Sequence, residues 1–304
     1  MFIPKSNAQL AAELLETITL TQLANDEFLG QSRDYVGARI FGGQVLAQAL
    51  MAAARTLGVD KPCHSLHGYF LRGGDIRYPV RYQVRRLRDG RSLSAREVTA
   101  IQDIDDGKGT QVSQVIFSMI ASFSPMEGGL DYQLDMPNRP TPDSLENEQT
   151  LKQHYLKDVP DALKERFLRQ RHVEIKPCQP QNPIKPTPTE PKQAAWLRIS
   201  ELGTHPVAVH QALLAFSSDY YLVATGLLSH GINLITRGLQ VASIDHSMHF
   251  HRPFDIEQWL LYDMWSDTTS HAKGLNHGQF WQNGKLIATT QQEGLMRLRL
   301  LDKE

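Results

Sequence analysis

The amino-acid sequence predicts an α+β protein made of two tandem units, each one helix wrapped by an antiparallel sheet. Three observations carry this. One helix followed by three or four long strands occurs on both sides of a proline-rich segment, an order that makes a sheet curl around a helix. Phe70-Leu71-Arg72-Gly73-Gly74-Asp75-Ile76 in the first half lines up with Phe250-His251-Arg252-Pro253-Phe254-Asp255-Ile256 in the second, each just past a histidine-containing strand. Each half also carries a hairpin signal, Asp89-Gly90 in the first and Asn283-Gly284 in the second.

The elements follow in order. Behind the capping residue Asn7, Leu10, Leu14, Leu15 and Ile18 recur at helical spacing and form a stripe to be buried. A short strand at 27–32 precedes Arg39-Ile40-Phe41-Gly42-Gly43, which opens a second helix at 44–57 stopped by Gly58. Val45, Leu46, Ala49, Leu50, Ala53 and Leu57 leave that helix little polar surface beyond Gln44, Gln48 and Arg55, so it is built to be wrapped. Strands are predicted at 64–75, on both sides of the Asp89-Gly90 turn, and at 112–123. Eleven of the 16 prolines then fall within 125–191, which proline's missing N–H suits to an extended connection, broken by a short helix at 161–170. After it come a strand at 195–200, a helix at 207–219 with Pro206 in its first turn, and strands at 241–254, 259–269, 274–286 and 287–300. The expected division is 1–125 for the first unit, 126–191 for the proline-rich linker with its helix, and 192–304 for the second unit.

Composition narrows the function. With 32 Lys plus Arg against 33 Asp plus Glu, the chain has no electrostatic footprint for nucleic acid or an anionic membrane. Its two cysteines, Cys63 and Cys178, are far apart and outside any metal or disulfide spacing, which fits a reducing, cytoplasmic setting. The N-terminal stretch lacks a secretory pattern and no window approaches about 18 unbroken apolar residues, so neither a signal nor a membrane span is expected.

The densest chemistry lies in Ile244-Asp245-His246-Ser247-Met248-His249-Phe250-His251-Arg252-Pro253. Side chains alternate faces along a strand, so His249 and His251 share one side and His246 takes the other. Without a bulge they cannot form one coordination shell, and no third ligand stands nearby, so no metal is expected.

This string, the helix start at Arg39-Ile40-Phe41-Gly42-Gly43, the strand His64-Ser65-Leu66-His67-Gly68-Tyr69-Phe70 and the terminal Gln292-Glu293-Gly294-Leu295-Met296-Arg297 together resemble the acyl-CoA thioesterase II family. The resemblance runs over nearly the whole chain. It implies the double hotdog fold, with both units contributing to one continuous curved sheet, and hydrolysis of fatty acyl-CoA without a cofactor. It also implies three catalytic positions around one water: Asp219, Ser243 and Gln292. Ser243 departs from the threonine common there but keeps the hydroxyl, and His249 stands where an aromatic residue is frequent.

Those residue types suit the chemistry. A thioester carbonyl is already electrophilic, so hydrolysis needs a positioned water, a base and donors for the developing oxyanion. Asp219 is the expected base, its pKa raised by Phe216, Tyr220 and Tyr221 around it, while direct attack by Asp219 to give a mixed anhydride stays open. Ser243 and Gln292 hold the water without competing for its proton. Gly42 and Gly43, at a helix start with unpaired N–H groups, are candidates for the oxyanion, and His64 is a possible accessory. Setting Gln44 against Gln211 places Ala52 opposite Asp219, so one site per chain is expected. Two other readings stay open: a non-catalytic acyl-CoA sensor, separated by whether CoA is released, and a hydratase or dehydratase, which needs a paired Asp and His that Asp245-His246 cannot supply from opposite faces. Exposed sheet edges predict a homo-oligomer, dimer or tetramer.

Overall fold

A computed structural model describes residues 4–37, 39–105, 107 and 109–299. Ser6, rather than Asn7, caps α1 (Asn7–Ile18), because its hydroxyl accepts from Gln9 N while the Gln9 side chain accepts from Ser6 N. Leu10, Leu14 and Ile18 are buried as the spacing requires. Two short strands follow, β1 (Thr21–Ala24) and β2 (Glu27–Gly30), and then α2 (Gly42–Ala54), whose Gln44 and Gln48 are buried with the apolar residues. Their amides are used on backbone: Gln44 Nε2 donates to Gln31 O, and Gln48 Nε2 to Thr17 O, while Tyr82 Oη donates to Gln48 Oε1. The sheet of this half is completed by β3 (Cys63–Phe70), β4 (Val80–Asp89), β5 (Ser94–Asp105) and β6 (Gln111–Phe123).

The connecting segment carries more structure than the one helix expected. It contains α3 (Glu148–Tyr155), α4 (Asp161–Leu168) and β7 (Glu174–Pro177), the last paired with β8 (Lys192–Arg198) at the sheet edge. The second half continues with α5 (Val207–Ser218), α6 (Leu222–Thr225), β9 (Leu239–Ser243), β10 (Asp245–Phe250), β11 (Leu260–Ser270), β12 (Lys273–Gln282) and β13 (Lys285–Leu298). Val207–His230 is long and apolar enough to cross a membrane by length and composition, yet 67% of its 18-residue window is buried inside the fold. That is the pattern of a core helix.

All pairings are antiparallel, and the strands form one 13-stranded sheet in the order β1-β2-β4-β5-β6-β3-β10-β13-β12-β11-β8-β7, with β9 also on β13. The halves join where β3 meets β10, His67 standing opposite Ser247. The duplication reaches individual hydrogen bonds. Gln102 Nε2 donates to Asp75 O and its Oε1 accepts from Asp75 N, and Gln282 does the same with Asp255.

The helices α2 and α5 pack together inside the sheet, with the start of α2 beside the end of α5. Gly43 permits this, since a Cβ there would lie 2.3 Å from Phe216 O. From the connecting segment, Arg171 pairs with Glu148 at 2.7 Å and lies over the Tyr220 and Tyr221 rings at 4.6 and 5.7 Å. Tyr221 Oη donates to Glu148 Oε1 at 2.6 Å and holds its own backbone at φ 66°, a conformation a bulky residue rarely adopts. Burial alone would raise the Glu148 carboxyl, but the charges of Arg171 and Lys152 bring it down to about 2. A depressed carboxyl stabilises the fold above its unfolded pKa, and that contribution is lost as pH falls from about 4.5 towards about 2. Arg171→Met is therefore expected to lower stability by about 1–3 kcal/mol at pH 7, discounted from a wholly buried pair because the Arg171 side chain keeps some solvent exposure. Thermal melts over pH 2–7 check this, with the wild type converging on the variant at the acid end.

Candidate active site

Asp219 sits directly after α5, and Oδ2 accepts from Gly43 N at the first turn of α2, 2.9 Å away. The close helix contact thus brings a carboxylate to the electropositive end of a helix. Gly42 is needed as well, because a Cβ on it would stand 2.7 Å from Asp219 Oδ2 and 3.1 Å from the Phe70 ring. The other oxygen, Oδ1, accepts from Gln292 Nε2 at 2.8 Å and, at the edge of hydrogen-bonding range, from Ser243 Oγ at 3.5 Å. Gln292 Nε2 also lies 3.0 Å from Ser243 Oγ.

A bulge makes this convergence possible. Ser243 of β9 faces Gly294, whereas Ser247 of β10 faces Gln291, so four steps on one strand span three on the other. The extra residue turns Ser243 and His246 to one side, although strict alternation would put them on opposite faces. His246 is wholly buried, with Nδ1 at 3.0 Å from Gln292 Nε2 and Nε2 at 2.9 and 3.0 Å from Ser218 Oγ and Thr290 Oγ1. The alternation rule gave no signal for this contact. His249 and His251 are exposed on the other face, and among the described residues no three His, Cys, Asp or Glu gather as metal ligands.

The electrostatics follow from the neighbours. Burial raises the Asp219 carboxyl above its ordinary value, against smaller lowering effects from Gln292, Gly43 and Ser243. Every group bonded to it is neutral. Asp219, Ser243 and Gly42 keep some solvent exposure while Gln292, Gly43 and His246 are buried, so the carboxylate is approached from the Ser243 and Gly42 side.

Two expected residues behave differently. Gly43 gives its N–H to Asp219 instead of offering it to a substrate oxygen, and the amides of Gln44 and Val45 turn to Phe41 O. His64 is half-buried on β3, where its Nε2 has no partner among the described residues. Burial, then the charge of His249, lowers its pKa, and no hydrogen bond among the described residues joins it to Asp219. A cavity of about 370 Å³ lined by Asn7, Glu148, Gln170, Arg171, His172 and Ser200 includes none of Asp219, Ser243 or Gln292 and lies between α1, the connecting segment and the end of β8.

Among the described residues the first half has no such site. With Phe70 matched to Phe250, the facing residues Phe117 and Ala288 put Ala121 opposite Gln292 in the duplication, and Cys63 and Leu66 opposite Ser243 and His246. The bulge itself is repeated, since Cys63 faces Phe123 and Ser65 faces Ser122. Together with Ala52, the first half keeps neither the carboxylate nor the amide at these positions, and burial raises the Cys63 thiol.

Two helices wrapped by one antiparallel sheet recur in a hot dog fold protein from Alicyclobacillus acidocaldarius, 19% identical with a TM-score of 0.70 over 95% of this chain and 99% of that one, a likeness that bears on the fold alone. The architecture is that of the double hotdog proteins. Residues 162–295 match the acyl-CoA thioesterase family and residues 31–124 the acyl-CoA thioesterase N-terminal domain. Acyl-CoA thioesterase 2 of Haemophilus influenzae is 38% identical over 93% of this chain and 96% of its own length, and human acyl-coenzyme A thioesterase 8 is 38% identical over 95% and 91%. An acyl-CoA thioesterase II structure from Mycobacterium marinum is 34% identical with a TM-score of 0.73, covering 94% of this chain and 98% of that one. The chain belongs to the acyl-CoA thioesterase family and is a thioester hydrolase.

Proposed function

We propose that this enzyme hydrolyses fatty acyl-CoA to free fatty acid and CoA, using a water deprotonated by Asp219 and held by Ser243 and Gln292. The observation that carries this reading is a single, largely buried carboxylate whose hydrogen bonds all come from neutral donors. Its raised pKa strengthens it as a base. The water's oxygen attacks the carbonyl carbon and its proton passes to Asp219. The tetrahedral intermediate then expels the CoA sulfur, which takes that proton. Gly43 N–H fixes Asp219 throughout, so the oxyanion is met by the Gly42 N–H at the α2 start. The relatives' names support acyl-CoA as the substrate.

The test is CoA thiol release across a series of acyl chain lengths. Release on at least one length supports the reading, and saturable binding without release on any of them favours a sensor. The pH profile gives a sharper expectation. Only ionised Asp219 acts, so kcat/KM falls on the acid side through an apparent pKa above 3.8. A profile flat down to that value contradicts the assignment. The expected homo-oligomer and cytoplasmic location remain parts of this reading, the former supported by Tyr69 and Ile120, 50% and 53% exposed on β3 and β6.

A further inference from the structure

We infer that His246 is a positioning residue that fixes which end of the Gln292 amide faces Asp219. This deepens the proposed function and rests on it. A glutamine side chain can present either its NH2 or its carbonyl, and only the NH2 can bond a carboxylate. Its neighbours decide between them. Ser218 Oγ donates its proton to Ala215 O at 2.8 Å, and Thr290 Oγ1 donates to Ser247 O at 2.8 Å. Both hydroxyls therefore have only lone pairs left for His246 Nε2, at 2.9 and 3.0 Å. Nε2 must carry the ring proton, and Nδ1 is left as an acceptor. That acceptor lies 3.0 Å from Gln292 and calls for an N–H, so the amide turns its NH2 towards His246 and Asp219 together. The opposite tautomer would call for the carbonyl and set it against the carboxylate.

The imidazole must stay neutral for this to work. Burial, then the charge of His67 across on β3, pushes its pKa down to about 3. Around Asp219 the other titratable neighbours are Tyr220 and Tyr262, the latter donating to Ser218 O at 2.9 Å, and burial raises both phenols so that they stay protonated. His246 thus holds one state across the working range. The first half supports the assignment: where the polar site is gone, Leu66 stands in place of His246, so neither half keeps the one without the other.

Three measurements test this. Nitrogen-15 NMR of histidine-labelled protein at neutral pH is expected to show His246 protonated at Nε2 alone, and a proton on Nδ1 overturns the inference without reference to activity. His246→Leu, a residue the equivalent position accommodates, is expected to lower kcat by about 10- to 100-fold with little change in KM, the range met when an orienting partner is removed. Loss of the Gln292 bond also moves the acid limb of the pH profile upward, because that bond lowers the Asp219 pKa. His246→Asn, which keeps an acceptor near the Nδ1 position, is expected to restore most of kcat and the original limb. Wild-type kcat and an unmoved limb in a folded Leu variant overturn the proposal, as does an Asn variant no better than Leu. Asp219→Asn in the same assay separates the two readings: if it keeps full turnover, the base assignment fails whatever His246 does, and if it collapses while His246→Leu is normal, only the positioning role fails.

Discussion

Asp219→Asn is expected to lower CoA release by about 100-fold or more while leaving acyl-CoA binding within a few-fold of wild type. The substitution keeps the volume of the side chain and an oxygen for Gly43 N, which donates to Oδ2 at 2.9 Å. What it removes is the basic oxygen that Gln292 and Ser243 hold. Steady-state kcat with a thiol reagent, and the Kd of a non-hydrolysable acyl-CoA thioether, separate chemistry from binding. A fall in kcat with Kd preserved is the expected pair. Since Ala52, Cys63 and Ala121 replace the site in the first half, the duplicated position offers no carboxylate to leave substantial residual turnover.

Gly43→Ala is expected to damage both fold and activity. A Cβ at this position lies 2.3 Å from Phe216 O and 2.6 Å from the Phe41 ring, closer than real Cβ contacts come. The obstacle on the α5 side is backbone, which cannot rotate away, so α2 and α5 must separate. Overpacking of this kind costs about 1–3 kcal/mol and sometimes more. Separation also draws Gly43 N off Asp219, so kcat falls together with the melting temperature. Gly128→Ala, where a Cβ meets nothing within 4 Å, is the matched control and should change neither. Equal melting temperatures for the two variants would mean that the helix contact is softer than its geometry implies.

The repeated architecture was legible because duplication leaves paired signals in the sequence. The match of Phe70–Ile76 to 250–256 becomes, in the structure, the paired Gln102 and Gln282 clamps on Asp75 and Asp255. Asp219, Ser243 and Gln292 were named through the family resemblance, and the structure brings them within hydrogen-bonding reach of one another. His246 was missed for a definite physical reason. Alternation assigns it to the face opposite Ser243, and one unpaired residue in the ladder reverses that assignment while leaving no mark in composition or spacing. The role of Gly43 was read as a donor to substrate because a helix start has unpaired amides, whereas a residue 176 positions away in sequence supplies the acceptor. The connecting segment was likewise opaque. Its prolines signal extended backbone correctly, but the grip of Glu148 and Arg171 on Tyr220 and Tyr221 is a long-range contact that no local pattern announces.

In the proposed mechanism Asp219 activates water instead of attacking the thioester itself. A single turnover in oxygen-18 water, with enzyme in excess over acyl-CoA, tests it most directly. General-base hydrolysis predicts that the fatty acid released in the first turnover carries one solvent oxygen and that the peptide containing Asp219 stays unlabelled. Unlabelled fatty acid with oxygen-18 in the Asp219 carboxylate would instead mean that the acyl group had passed through a mixed anhydride and that Asp219 is a nucleophile.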